Sequence, residues 1–294
     1  MAPPLNVDVV SAFTTVHHDT YPYIAPSNID LSGKSVFIAG ASKGIGRLTS
    51  LTLAKAGCSK IAVGSRSSLA DLEKEITEAA IAAGKTAPLV VSVELDVTLE
   101  ESVKAAAEKI GEAFGGSLDV LIANAGNMEE WKPVGETVVA EWWKTWETNF
   151  KGPYLLNRYF ISLLLKSEIK TSILTSSYGA LCTMPGASGY QGSKFAVSRL
   201  AEFIADEYVS QGLVCYSIHP GAVKTDLAFG MPDYMWRVLV DEPALAADTF
   251  VWLCKERRPW LSGRFLSVNW DMEELEAKKE KMVEDDLCKF RLTV

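Results

Sequence analysis

From residue 34 onward the chain repeats one pattern: a short apolar run, a few glycines or polar residues, then a longer stretch with helical periodicity. The apolar runs fall at residues 35–39, 60–64, 89–95, 120–123, 172–175, 213–218 and 264–268. Helical stretches lie between them at about residues 46–56, 69–83, 100–114, 138–165, 189–211 and 243–255. Short apolar runs bounded by turn residues read as strands buried on both faces. Strands that alternate with helices need crossovers, and right-handed crossovers lay them in one sheet with helices on both sides. The expected fold is therefore α/β: a single doubly wound, Rossmann-like domain with a seven-stranded, mainly parallel sheet.

The flanks break the pattern. Residues 1–33 contain four prolines and no sustained periodicity, and read as an arm lying over the domain of residues 34–269. Residues 270–294 form an extension rich in Glu and Lys, expected to be a charged, solvated helix without chemistry. The formal charge of −8 argues against broad binding to nucleic acid, which needs clustered cations. Five scattered cysteines without a C-x-x-C pair suggest neither a disulfide framework nor a metal site, and His17 and His18 are not read as ligands. Residues 1–16 have no basic region followed by an apolar core, and no run of 18 apolar residues occurs, so no signal peptide or membrane span is expected. These features read as a cytoplasmic protein.

Directly after the first apolar run stands Gly40-Ala41-Ser42-Lys43-Gly44-Ile45-Gly46, opening the first helical stretch. Glycines at such a turn let the backbone approach a pyrophosphate, and the helix N-terminus offers free N–H groups to the anion. At the end of the second strand, an acidic residue would bond the ribose 2′-hydroxyl of NAD. That place, 19 residues past Gly46, holds Ser65, followed by Arg66, with Lys43 inside the turn. A serine with two cations nearby suits the 2′-phosphate of NADP. The alternative is that Arg66 only solvates a strand end.

The chain resembles the short-chain dehydrogenase/reductase family over about residues 31–269. The resemblance rests on Gly40-x-x-x-Gly44-x-Gly46, Asp96-Val97, Asn124-Ala125-Gly126, Asn149, Ser177, Tyr190-x-x-x-Lys194 and Pro220-Gly221 with Thr225, in that order. It departs from the family at Ala39, where Thr is common, at Ala123, where Asn is common, and at Gly179, one residue early after the serine pair. Ser177 is preferred to Ser176 because it stands 13 residues before Tyr190. The resemblance implies that Asp96 bonds the adenine amino group with Val97 in support, that Asn124-Ala125-Gly126 line the cofactor floor, and that Val223 and Thr225 bond the nicotinamide carboxamide. Outside the family, Asp96 would read as a helix cap and the Pro220-Gly221 pair as an ordinary turn.

For catalysis the resemblance implies a set of Asn149, Ser177, Tyr190 and Lys194. Tyr190 would be the general acid in reduction and the base in oxidation, and Ser177 would polarise the substrate oxygen. Lys194 would bond the nicotinamide ribose, and Asn149 would anchor a water leading to solvent. A tyrosine pKa lies near 10 and an adjacent cation favours the phenolate; four residues apart on a helix, Tyr190 and Lys194 share a face. The expected enzyme is an NADPH-dependent carbonyl reductase; the alternatives are a non-catalytic NADP-binding regulator or an epimerase or dehydratase on the same fold.

Substrate should be met by the segments after Gly126, Ser177 and Thr225, which carry Met128, Trp131, Tyr178, Met184, Phe229, Met231, Tyr234 and Trp236. Such a lining suits a hydrophobic or aromatic carbonyl compound or alcohol. Residues 226–241 are expected to form a mobile lid. Trp142, Trp143 and Trp146 cannot all face one core, so part of the cluster is expected at a homodimer or homotetramer interface. The arm and tail resemble extensions of fungal family members, many of which serve secondary metabolism.

Overall fold

The computed structural model describes residues 13–292. Seven strands form one sheet: β1 (Ser35–Ala39), β2 (Lys60–Ser65), β3 (Leu89–Glu94), β4 (Val120–Ala123), β5 (Thr171–Thr175), β6 (Val214–His219) and β7 (Phe265–Ser267). Their order is β3-β2-β1-β4-β5-β6-β7 and every pairing is parallel. Every residue of β1, β4 and β5 is buried, because helices cover both faces and no position meets water. The strand order reverses between β1 and β4, and the carboxyl ends of these neighbours open the crevice in which such sheets hold ligands.

Five helices fall close to their expected places: α1 (Gly44–Lys55), α2 (Ala70–Ala82), α3 (Glu100–Phe114), α6 (Ser188–Glu207) and α7 (Pro243–Cys254), where α4 and α5 are the two helices given next. The single long helix expected over residues 138–165 is instead broken into α4 (Val139–Trp146), a π-helical turn (Glu147–Lys151) and α5 (Gly152–Leu164). Pro153 has no N–H for the Asn149 carbonyl four residues earlier, and the Gly152 N–H reaches back five residues to Glu147. A Cβ on Gly152 would lie 2.8 Å from Val97 Cγ2, so the break also lets α5 pack against the turn after β3.

The flanks are more firmly built in than expected. Ile24, Ile29 and Leu31 of the arm, and Trp270, Met272, Leu275 and Met282 of the tail, lie in one buried cluster with Val36 and Ile38 of β1. The tail is thus not a plain solvated helix: it forms two short helices, α8 (Met272–Ala277) and α9 (Lys279–Glu284), each with an apolar side turned inward. Val16 pairs with Trp270 in an antiparallel bridge, and the His17 N–H donates to the Asn269 carbonyl at 2.8 Å. Beyond α9 the Cys288 carbonyl accepts from the Phe265 N–H at 2.7 Å, covering the outer edge of β7. The first 12 residues of the expected arm and residues 293 and 294 lie outside the described residues. Among the described residues no helix is long and apolar enough to cross a membrane.

Candidate active site

The glycine turn joins β1 to α1, and two of its glycines are demanded by close approach. Gly40 has φ +88°, and a Cβ there would stand 2.7 Å from the Ala125 backbone. A Cβ on Gly46 would stand 2.6 Å from Asn124 Nδ2 and closer still to the Gly40 carbonyl oxygen. Asn124 Nδ2 donates to that carbonyl at 3.0 Å, tying the turn to the end of β4. The first turn of α1 carries no acidic residue and no side chain caps it, so its N–H groups are left for an anion. These residues therefore fit the pyrophosphate of a dinucleotide.

A groove of about 480 Å³ runs from this turn across the sheet. Gly40, Ser42, Lys43, Gly44, Ile45, Ser65, Arg66, Asp96, Val97, Asn124, Ala125, Gly126, Tyr190, Lys194, Pro220 and Thr225 all line it. Gly46 lies beneath the turn as a packing residue, while Gly221 and Val223 face the neighbouring cavity. Thr148, Thr175 and Leu227 also line the groove and have no individual signal in the sequence, and Ser176, passed over in favour of Ser177, lines it too. At its far end the Ser65 hydroxyl folds back on its own turn, donating to the Ser67 carbonyl at 2.7 Å. Arg66 is exposed on the groove, but Lys43 Nζ is paired with Asp226 Oδ2 at 2.7 Å, so the expected second free cation is engaged. Asp96 Oδ1 accepts from the Thr98 N–H and hydroxyl at 2.9 and 2.7 Å, which holds its carboxyl below the usual range against the opposing effect of burial.

Tyr190 and Lys194 lie in the first two turns of α6, with Lys194 Nζ 5.8 Å from the Tyr190 ring centre. Burial pulls the Lys194 pKa down to about 8, and its Nζ donates to the Thr175 carbonyl at 2.7 Å. The Tyr190 phenol is raised from its ordinary value, first by burial and also by Glu129, while a hydrogen bond with the Ser177 hydroxyl opposes the rise. Ser177 Oγ in turn accepts from the Gly179 N–H at 3.0 Å, so the early glycine fixes the serine in a tight turn. Asn149 stands in the π-helical turn, where its side chain clamps Asn127: Oδ1 accepts from the Asn127 N–H at 2.8 Å and Nδ2 donates to the Asn127 carbonyl at 2.9 Å. Asn149 Nδ2 also donates to Ser193 Oγ at 3.0 Å, linking that turn to α6. All four expected residues thus converge.

Glu129 carries no motif and was not expected. No residue at the start of α6 caps it with a side chain, and Glu129 Oε1 fills that place by accepting from the Tyr190 N–H at 2.9 Å. Gly189 makes room, since a Cβ there would stand 2.8 Å from the same oxygen.

Beside the groove lies an apolar cavity of about 310 Å³, and Ile45, Tyr190, Pro220, Thr225 and Leu227 line both. Met128, Trp131, Tyr178, Met184 and Met231 line the cavity as expected. Phe229, Tyr234 and Trp236 do not: they lie on the outer surface of residues 226–241, where Phe229 and Trp236 stack edge-on at 5.0 Å and Trp236 Nε1 donates to the Met231 carbonyl. This segment forms two 3₁₀ helices, Ala228–Gly230 and Asp233–Val238. Three residues per turn place Met235 and Val238 together toward the cavity and turn Tyr234 and Trp236 outward. His219, Cys182 and Gln191, and Val16 and His18 of the arm, complete a wall that local sequence did not reveal. The tryptophan cluster divides: Trp142 Nε1 donates to Ser188 Oγ at 3.0 Å and Trp146 packs on Gly192, so both brace α6, while Trp143 is exposed.

A family model described as short chain dehydrogenase matches residues 34–233. The short chain dehydrogenase mpl6 of Monascus purpureus is 47% identical over 278 residues, covering 95% of each chain. The short chain dehydrogenase pigC of Monascus ruber is 41% identical, covering 98% of this chain and 95% of its own. Among solved structures, an alcohol dehydrogenase from the archaeon Thermococcus sibiricus, complexed with 5-hydroxy-NADP, is 27% identical with a TM-score of 0.67, covering 80% of this chain and 95% of its own. Levodione reductase is similar in fold, with a TM-score of 0.72 at 22% identity, covering 80% of this chain and 96% of its own.

Proposed function

Since the chain belongs to the short-chain dehydrogenase family and is thereby an oxidoreductase, we propose that it reduces a lipophilic ketone or aldehyde with hydride from NADPH. The reading is carried by the position of Tyr190, which lines both the polar groove and the apolar cavity and is bonded to Ser177. Bound in the groove, a nicotinamide supplies hydride to the carbonyl carbon. The Tyr190 hydroxyl delivers a proton to the carbonyl oxygen, and Ser177 holds that oxygen in place. Lys194, fixed by the Thr175 carbonyl, places a cation beside the phenol and stabilises the phenolate left behind. Asn149 holds the loop after β4 against α6 and so keeps Lys194 in register with the groove.

The preference for NADPH rests on Ser65 and Arg66 at the end of β2, in the place where an acidic residue would select NAD. A panel of lipophilic ketones assayed through cofactor absorbance at ~340 nm, with NADH alongside, tests the reading. NADPH is expected to be favoured by about tenfold or more in kcat/KM, and Arg66→Ala to remove most of that preference. Equal use of both cofactors by the unmodified enzyme would refute the cofactor assignment, and inertness toward every ketone would refute the reaction.

A homodimer or homotetramer is also proposed, supported by exposed apolar side chains on consecutive helices: Val139 and Trp143 on α4, Tyr154 on α5, Phe203 on α6. Light scattering after size exclusion should give a mass of two or four chains; a clean monomer at micromolar protein would end this proposal. The setting we favour is fungal secondary metabolism, supported by Monascus relatives that match nearly the whole chain, extensions included.

A further inference from the structure

The apolar cavity holds a hydrogen-bond donor that the chemistry above does not use. His219 ends β6 and lines the cavity. Its Nδ1 accepts from the Tyr178 N–H at 3.0 Å, so Nδ1 is unprotonated and the ring's single proton sits on Nε2. Burial supports this neutral form, pulling the pKa down to about 4. The backbone is held as well, because the His219 carbonyl accepts from the Val268 N–H at 3.0 Å.

The carboxylate and amide oxygens nearby have other partners. Asp241 Oδ1 bonds His18 Nδ1 at 2.6 Å and its Oδ2 accepts from the Ala222 N–H at 2.5 Å. Asn269 Oδ1 accepts from the Ser267 hydroxyl at 3.1 Å. Among the described residues, none accepts a hydrogen bond from His219 Nε2. His219 is half-buried and lines the cavity, so its Nε2–H is a donor that a ligand oxygen entering the cavity can engage in place of solvent. The location also says where such an oxygen lies. Thr175 of β5 is in register with Ile218 of β6, so Ser177 and His219 leave adjacent strands, which run about 4.8 Å apart.

We propose that His219 is a specificity-determining residue whose Nε2–H binds a second, uncharged oxygen of the substrate, a few bonds from the carbonyl that is reduced. The substrate class is thereby narrowed to ketones bearing a further keto, ester or ether oxygen; this rests on the carbonyl-reductase reading. The nearby Asp241 carboxylate disfavours an anionic group at the same place.

The test is a matched pair of substrates, a β-keto ester and the ketone of equal length lacking the ester oxygens, with the unmodified enzyme, His219→Asn and His219→Gln. Asn keeps an acceptor for the Tyr178 N–H but withdraws the distal donor; Gln carries an N–H out to the Nε2 position. The unmodified enzyme should prefer the β-keto ester by about tenfold or more in kcat/KM. His219→Asn should bring that ratio to within about threefold of unity, and His219→Gln should retain most of it. A ratio near unity in the unmodified enzyme, or one left unchanged by His219→Asn, overturns the proposal. If neither ketone is turned over, the reductase reading fails on its own account. Calorimetric titration of both compounds into the same proteins then decides: an affinity difference abolished by His219→Asn sustains the role of His219, and equal affinities overturn it.

Discussion

Tyr190→Phe is expected to lower kcat for ketone reduction by about 10³-fold or more while leaving the affinity for NADPH within about twofold. Phenylalanine keeps the ring on α6 and leaves Lys194 Nζ on the Thr175 carbonyl, so the groove keeps its shape. What disappears is the proton donor at the junction of groove and cavity, together with its bond to Ser177. Burial and Glu129 hold the phenol above its ordinary value, so the acid is loaded at neutral pH in the protein without cofactor. Reduction should accordingly fall as pH rises through the tyrosine pKa, and oxidation of the alcohol should rise over the same range. Single-turnover rates and a fluorescence titration of the cofactor, made on one preparation, separate the two effects. A variant with nearly normal turnover would remove Tyr190 from the mechanism.

Gly46→Ala should act on the opposite side of the site and for a different reason. The added methyl would meet the Gly40 carbonyl and Asn124 Nδ2 at distances no side chain tolerates, so the turn must open or α1 must move. Overpacking of a rigid contact costs about 1–3 kcal/mol or more, and losing the Asn124 bond to Gly40 adds about 1 kcal/mol. A melting temperature lower by roughly 5–10 °C follows for a chain of this size. The displaced N–H groups should weaken NADPH binding by about 10²-fold, since the anion site is the backbone itself. Gly135→Ala is the control: no atom lies within 4 Å of the added methyl and its φ is not positive, so melting and binding should stay unchanged. Normal cofactor affinity in Gly46→Ala would show that the turn is not where the phosphates sit.

Much of this architecture was legible because its signals are local. A strand buried on both faces must be an apolar run, and β1, β4 and β5 are read with almost no error in their bounds. The glycine turn is legible for the same reason, since backbone approach permits no other residue at positions 40 and 46. The break between α4 and α5 was missed because residues 138–165 keep helical periodicity throughout, and a π-helical turn adds one residue without altering composition. Residues 226–241 present other faces than expected. Their aromatic content is as expected, but the three-residue repeat of the second 3₁₀ helix sends Met235 and Val238 inward and Tyr234 and Trp236 outward, with Phe229 of the first helix exposed beside Trp236. Glu129 and His219 could not be seen in advance, because each matters through one contact with a segment more than 40 residues away. The tail was underestimated because a few buried side chains, Met272, Leu275 and Met282, are diluted among charged neighbours.

The arm completes the cavity, yet what holds it lies 223 or more residues further along the sequence. Thr15 bonds Glu274, His17 bonds Asp271 and Asn269, His18 bonds Asp241, Thr20 bonds Asp248, and Tyr23 bonds Glu276. A ribosome making this chain therefore releases the arm well before its docking partners. Until residues 241–276 emerge, the sheet can assemble around β1 and β4 and the glycine turn can form, but Val16 and His18 have nothing to close against. The cavity thus gains its last wall only when residues 241–276 have been made, however early the arm itself is released.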